Sequence, residues 1–253
     1  MPVINSIYAE NRGVPMVVAN DLKVKVFADG ADLDGIRQLT SNPLVKGFTT
    51  NPTLMKQVGI TDYLAFSKEV LEVINGAPIS LEVFSDEFDE MKTQALKLAA
   101  LGENVYVKIP VTNTRAESSA EIVRELSSEG VKLNVTAIFT TQQVEKVVNA
   151  LSGGPASYVS VFAGRIADAG VDPIPTMVKT LEIMRPHPQM ELIWASPREL
   201  LNVVQAHEIG CHVITVTHDL LKKLPSLGKD LDTFSLETVK MFANDAISAG
   251  YSL

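Results

Sequence analysis

The sequence predicts an α/β fold: a single closed (β/α)8 TIM barrel over residues 1–253, with residues 1–22 as a short N-terminal extension packed against it. Three observations predict it. Short β-branched apolar runs alternate with longer amphipathic segments from residue 24 onward. Eight such runs recur at intervals of about 20 to 35 residues, the length of a βα unit. No linker or compositional break divides the chain, and its 253 residues suit one barrel.

The strand candidates, in order, are KVKVFAD (23–29), VKGFTTN (45–51), ISLEVFS (79–85), NVYVKIP (104–110), KLNVTAIF (132–139), YVSVFAG (158–164), MELIWAS (190–196) and CHVITVT (211–217). Helical spacing, with apolar residues at three- and four-residue steps, marks 62–74, 86–101, 114–130 and 175–184 between them. Gly130 stands where a helix C-terminal cap is expected. An open doubly wound sheet is the competing architecture and usually has fewer strands, and no G-x-G-x-x-G or phosphate-loop signature follows any strand.

Composition narrows the chemistry. A net charge of −8 argues against sequence-independent nucleic-acid binding, although a few converging arginines can still hold a sugar phosphate. One cysteine, Cys211, excludes an internal disulfide and a Cys-rich metal cluster. No apolar run approaches the roughly 20 residues of a bilayer span, and no signal peptide opens the chain. The expectation is a cytoplasmic protein with no membrane partner, no metal and no cofactor.

Polar residues inside the strands carry the functional signal. Asp29 ends the first run; Thr49, Thr50 and Asn51 end the second; Glu82 interrupts the third and Lys108 the fourth. Asn134 and Thr136 interrupt the fifth, Ser160 and Arg165 lie in or after the sixth, and Ser196 and Arg198 follow the seventh. All sit in the middle or at the C-terminal end of a strand, where barrel enzymes build their sites. Lys108, between Val107 and Ile109, reads either as a desolvated amine able to attack a ketone or as a lysine that snorkels or pairs with Glu82. Asp29 and Glu82 near one buried lysine suit divided acid/base roles. Arg165 and Arg198, with Ser196, suit capture of a phosphate; each alone also reads as a surface arginine. The four histidines, His187, His207, His212 and His218, show no metal-ligand spacing and are read as structural or surface residues.

At these residues the chain resembles the transaldolase family. The matching pieces are FADGADLDGI around Asp29, GFTTNPTLM around Asn51, SLEV with Glu82 and VYVKIPVT with Lys108. LNVTAIFT with Asn134 and Thr136, SVFAGRIAD with Ser160, Phe162 and Arg165, and WASPREL with Ser196 and Arg198 continue the series in order. The resemblance implies a Schiff-base lysine, Lys108, with Asp29 as acid/base and Glu82 with Thr136 holding a catalytic water. It implies Asn51 and Asn134 on the dihydroxyacetone hydroxyls, Thr49, Ser160 and Phe162 in the substrate pocket, and Arg165, Ser196 and Arg198 on a phosphate. Sugar-phosphate substrates and a homo-oligomer follow as partners. Fructose-6-phosphate aldolases, a related subgroup, carry Gln at the position of Glu82 and Tyr at that of Phe162, so this chain reads as a dihydroxyacetone transferase. An aldolase releasing free dihydroxyacetone, and an inactive barrel serving as a binding protein, are the alternatives. The stretch 217–235 does not match the family's usual ending.

Overall fold

The computed structural model describes residues 17–251. Eight parallel strands close on themselves: β1 (Lys25–Asp29), β2 (Val45–Thr49), β3 (Ile79–Glu82), β4 (Val105–Pro110), β5 (Leu133–Ile138), β6 (Ser157–Val161), β7 (Met190–Trp194) and β8 (Val213–Thr217), each paired to the next and β8 to β1. Seven strands fall within their predicted runs, and β6 starts one residue before its run, at Ser157. Of the extension, residues 1–16 lie outside the described residues, while Ala19–Asp21 form one 3-10 turn and Leu22 packs against the core.

Between the strands run α1 (Leu33–Leu39), α2 (Pro52–Gln57), α3 (Tyr63–Val73), α4 (Phe88–Ala99), α5 (Ala120–Ser128), α6 (Thr141–Leu151), α7 (Ala163–Asp168), α8 (Ile174–Met184), α9 (Leu201–Glu208) and α10 (His218–Leu221). The chain then runs into α11 (Leu231–Ser248). The helix expected over 114–130 begins only at Ala120. Residues before it form a polar turn in which Asn113 Oδ1 accepts from the amides of Arg115 and Glu117, while Thr114 donates to Asp86. Local side-chain hydrogen bonds win there over the helix.

Alternation along each strand sorts the side chains. Val105, Val107 and Ile109 of β4, and Ile79 and Leu81 of β3, belong to the continuous core that packs the strands on the helix layer. The opposite parity faces the barrel axis. At its N-terminal end that interior is plugged by Phe27, Tyr106, Tyr158, Ile193 and Val213, with Phe27 edge-on to Tyr158 at 5.6 Å. Gly47 makes room for this plug: a Cβ there would stand 2.6 Å from the Phe27 ring. Toward the C-terminal end the interior turns polar, where the sequence places the polar residues of the strand runs. The plug seals the floor, and the polar layer above it forms the floor of a cavity.

Candidate active site

The polar layer follows from register. Glu82 lies beside Lys108, Lys108 beside Asn134 and Pro110 beside Thr136, while Asp29 lies beside Thr49 and Thr49 beside Ser80. Residues far apart in the chain thus share one level of the barrel. They line a cavity of about 450 Å³ at the C-terminal end. Eleven of the twelve residues expected at the site border it: Asp29, Thr49, Asn51, Glu82, Lys108, Asn134, Thr136, Ser160, Phe162, Arg165 and Ser196.

Lys108 is 8% exposed, and its Nζ lies 3.1 Å from Glu82 Oε2 and 3.2 Å from the Thr50 carbonyl oxygen. Of the readings open for Lys108, pairing with Glu82 is the one observed: Val107 and Ile109 belong to the other face, and the amine meets a carboxylate and a carbonyl. A buried pair of this kind restrains both side chains and holds a proton acceptor against the amine. Glu82 is itself fixed through its backbone, whose N–H donates to the Tyr63 hydroxyl at 2.8 Å.

Asp29 accepts a hydrogen bond from Thr49 Oγ1 at 2.8 Å. Burial raises its proton affinity above the ordinary carboxylate value; the positive charges of Lys108 and His218 and the hydroxyl and amide of Thr49 and Asn51 work against that rise without reversing it. Asn51 has a second duty, since its Oδ1 caps α2 by accepting from Leu54 N at 3.0 Å. That bond fixes the side chain and leaves its amide nitrogen for other contacts. Asn134 is bracketed similarly: it donates to Ser80 Oγ at 2.8 Å and accepts from Ser160 Oγ at 2.7 Å. Thr136 Oγ1 is buried, borders the cavity and has no hydrogen-bond partner among the described residues.

Backbone strain collects at the same rim. Ala137, at an irregularity in β5, and Ser196, just after β7, both have positive φ, 59° and 56°. Gly164 at the start of α7 touches the Ser196 carbonyl so closely that a Cβ would stand 1.5 Å from its oxygen. This contact holds Ser196 against the segment that carries Arg165.

The twelfth residue is elsewhere. Arg198 does not border the cavity; its guanidinium makes a bidentate pair with Asp168 at 2.5 to 3.1 Å on the exposed surface. Of the two predicted phosphate arginines, Arg165 alone lines the cavity, its guanidinium 5.6 Å from the centre of the Phe162 ring. Sequence reasoning missed Thr215 and Phe139 in the cavity lining, and Ser80 beneath it. Ser80 was legible as the residue two before Glu82 on the same face; the others lie where only closure of the barrel shows the neighbours. Among the described residues no group of three or more His, Cys, Asp or Glu side chains is arranged to hold a metal ion, and no helix is long and apolar enough to cross a membrane.

The model of the Transaldolase/Fructose-6-phosphate aldolase family matches residues 26–252, from β1 through α11. The chain belongs to the transaldolase/fructose-6-phosphate aldolase family. Curated relatives agree. A probable transaldolase of Thermoanaerobacter sp. is 36% identical over 202 residues, covering 79% of this chain and 89% of that protein. One of Nitrosopumilus maritimus is 36% identical over 203 residues, covering 79% and 87%. Among solved structures, a type I 3-dehydroquinate dehydratase from Clostridium difficile bearing covalently modified comenic acid superposes with a TM-score of 0.56 at 10% identity, covering 81% of this chain and 90% of that one. Native KDPGal superposes with a TM-score of 0.52 at 11% identity, covering 86% and 97%. These two share the barrel alone. Within the transaldolase/fructose-6-phosphate aldolase family, then, this member carries a buried Lys–Glu pair, a desolvated aspartate and one arginine around a single cavity.

Proposed function

We propose that this enzyme transfers a dihydroxyacetone unit from a ketose phosphate, such as sedoheptulose 7-phosphate or fructose 6-phosphate, to an aldose phosphate through a Schiff base on Lys108, without a cofactor and in the cytoplasm. The observation that carries the reading is the Lys108 amine, buried on the barrel interior with Glu82 Oε2 at 3.1 Å. Its nucleophilic form needs an acceptor for the ammonium proton, and Glu82 is within transfer distance. The neutral amine attacks the C2 carbonyl; the carbinolamine loses its hydroxyl as water, and an iminium remains. Thr136, with its unpartnered hydroxyl, and Glu82 suit the handling of that water.

Asp29 then takes the proton of the C4 hydroxyl. The C3–C4 bond breaks, its electrons pass into the iminium, and the aldose phosphate leaves an enamine on Lys108. A carboxyl whose burial favours the protonated state suits the return of that proton to the next aldehyde oxygen. Asn51 and Asn134 suit the hydroxyls of the three-carbon unit, with Ser160 holding Asn134 and Thr49 holding Asp29. Phe162 walls the cavity, and Arg165 with Ser196 suits the phosphate. Arg198 joins them if a phosphate draws it from Asp168; an exposed, solvent-screened ion pair opposes that only weakly.

A homo-oligomer completes the reading. In α11 no residue is buried, and Leu231, Phe234, Leu236, Val239, Phe242 and Ile247 are all exposed. A second copy of the chain supplies the cover.

Borohydride reduction in the presence of fructose 6-phosphate tests the central step. Peptide mass spectrometry is expected to find the three-carbon adduct on Lys108. No adduct, or one on a different lysine, removes the proposal. Assay with and without an aldose phosphate acceptor separates transfer from release of free dihydroxyacetone.

A further inference from the structure

Parallel strands pass hydrogen bonds across in a fixed order, so an exchanged rung can be read from the register. Between β2 and β3 the ladder holds two pairs, Phe48 with Ile79 and Thr49 with Ser80. Phe48 N donates to Pro78 O at 2.9 Å, and Thr50 N donates to Ser80 O at 3.2 Å. The next rung would run from the Glu82 amide to the Thr50 carbonyl. Here both of its groups have other partners. The Glu82 amide donates to the Tyr63 hydroxyl at 2.8 Å, and the Thr50 carbonyl accepts from Lys108 Nζ at 3.2 Å. On its other edge β3 keeps pairing to the end, through Glu82 with Lys108.

We propose that Tyr63 is a positioning residue for Lys108: by taking the Glu82 amide, its hydroxyl releases the Thr50 carbonyl to hold the amine. The inference rests on the reading of Lys108 as the Schiff-base residue. Each party to the exchange is fixed in place. Thr50 is fully buried, and its amide and hydroxyl both donate to Ser80 O, which restrains the direction of its carbonyl. Tyr63 opens α3, which Asp62 caps through the Ala65 amide at 2.9 Å, and its ring packs edge-on to Phe84 at 4.5 Å. Burial pushes the phenol above its ordinary value, so the hydroxyl stays protonated and brings no charge beside Glu82. One tyrosine thus serves both partners of the amine. It braces the backbone that carries the Glu82 carboxylate, and it leaves the Thr50 carbonyl free. That carbonyl binds the ammonium without accepting its proton, so it holds the nitrogen still while Glu82 takes the proton.

Tyr63→Phe keeps the ring and its packing on Phe84 and removes the acceptor. The released Glu82 amide is expected to turn to Thr50 and restore the rung, because a part-buried amide without a partner is costly. NMR coupling across the hydrogen bond, from the Glu82 nitrogen to the Thr50 carbonyl carbon, reads this directly: none in the wild type, a coupling in the variant. With the carbonyl taken, kcat for fructose 6-phosphate is expected to fall by roughly ten- to a hundredfold, with KM changed by less than about twofold. Both changes together support the inference. A folded variant that lacks the coupling, or that keeps the wild-type kcat, overturns it. A hydroxyl that only stabilised the fold would lower the urea midpoint and leave kcat alone. Should the phenylalanine variant fail to fold, the wild-type spectrum decides: a Glu82–Thr50 coupling there overturns the inference, and its absence upholds the exchanged rung. These couplings are read without substrate. No fragment trapped on Lys108 therefore counts against the Schiff-base reading, whereas an intact rung in the wild type counts against the role of Tyr63.

Discussion

Asp29, the proposed acid/base residue, carries a cost to the fold. Burial raises its proton affinity, so the folded state binds that proton more tightly than the unfolded chain does. The sign follows: native stability falls as pH rises from the ordinary carboxylate value of 3.8 through the higher folded value, and the loss persists above it. Asp29→Asn removes that loss and keeps an acceptor for Thr49. The variant is expected to melt a few degrees higher than wild type at neutral pH, with the gain vanishing at pH below about 3.8, as followed by calorimetry. Its turnover should fall by roughly 10² to 10⁴, while borohydride trapping on Lys108 persists. A variant that melts lower at neutral pH sinks the argument. The carboxylates and the lysine were legible because a charge inside an apolar run is anomalous. Their pairing was not legible, because the sequence does not say which neighbour a buried amine meets.

At the scale of single elements, polar local bonding decided where the sequence was misleading. The turn before α5 is held by Asn113, Asp86 and Glu117, which compete with helical hydrogen bonds. For α6 the sequence carried an unread start signal: Thr140 accepts from the Gln143 amide and Gln143 reaches back, a complete capping box. The α7 start has the sharpest demand on sequence. With 1.5 Å between a Cβ on Gly164 and the Ser196 oxygen, alanine there forces the two rim segments apart. Gly164→Ala is expected to destabilise by roughly 1–3 kcal/mol in urea unfolding. It should also raise KM for phosphorylated donors more than for free dihydroxyacetone, because Arg165 and Ser196 move together. Equal loss on both substrates counts against the shared rim.

The whole molecule settles what the ring of strands brings together and what it leaves outside. Strand β8 closing on β1 places His218 over the end of β1, nearly 190 residues after Asp29 in the chain. By contrast α11 finds no cover from the rest of the described chain. Phe242 is 62% exposed and Ile247 78%, which is unusual for large apolar side chains on one helix. Light scattering in solution is expected to report a mass well above the 27.4 kDa of one chain. Phe242→Glu should lower that mass while leaving the barrel's circular dichroism intact. A monomeric wild type defeats the self-association reading.

The strand positions, their order and the level of the site were determined by the sequence alone, because period-two alternation and misplaced charges are local patterns that need no partner to be read. Only the tertiary structure decided the contacts: Lys108 on Glu82, Arg198 drawn to Asp168 and away from the cavity, and Asn134 braced by two serines. It also decided that the His218 ring, just after the last strand, is seated against Gly30 and Gly35 at the end of the first. Register and closure set those distances, and neither is written in any one segment of the chain.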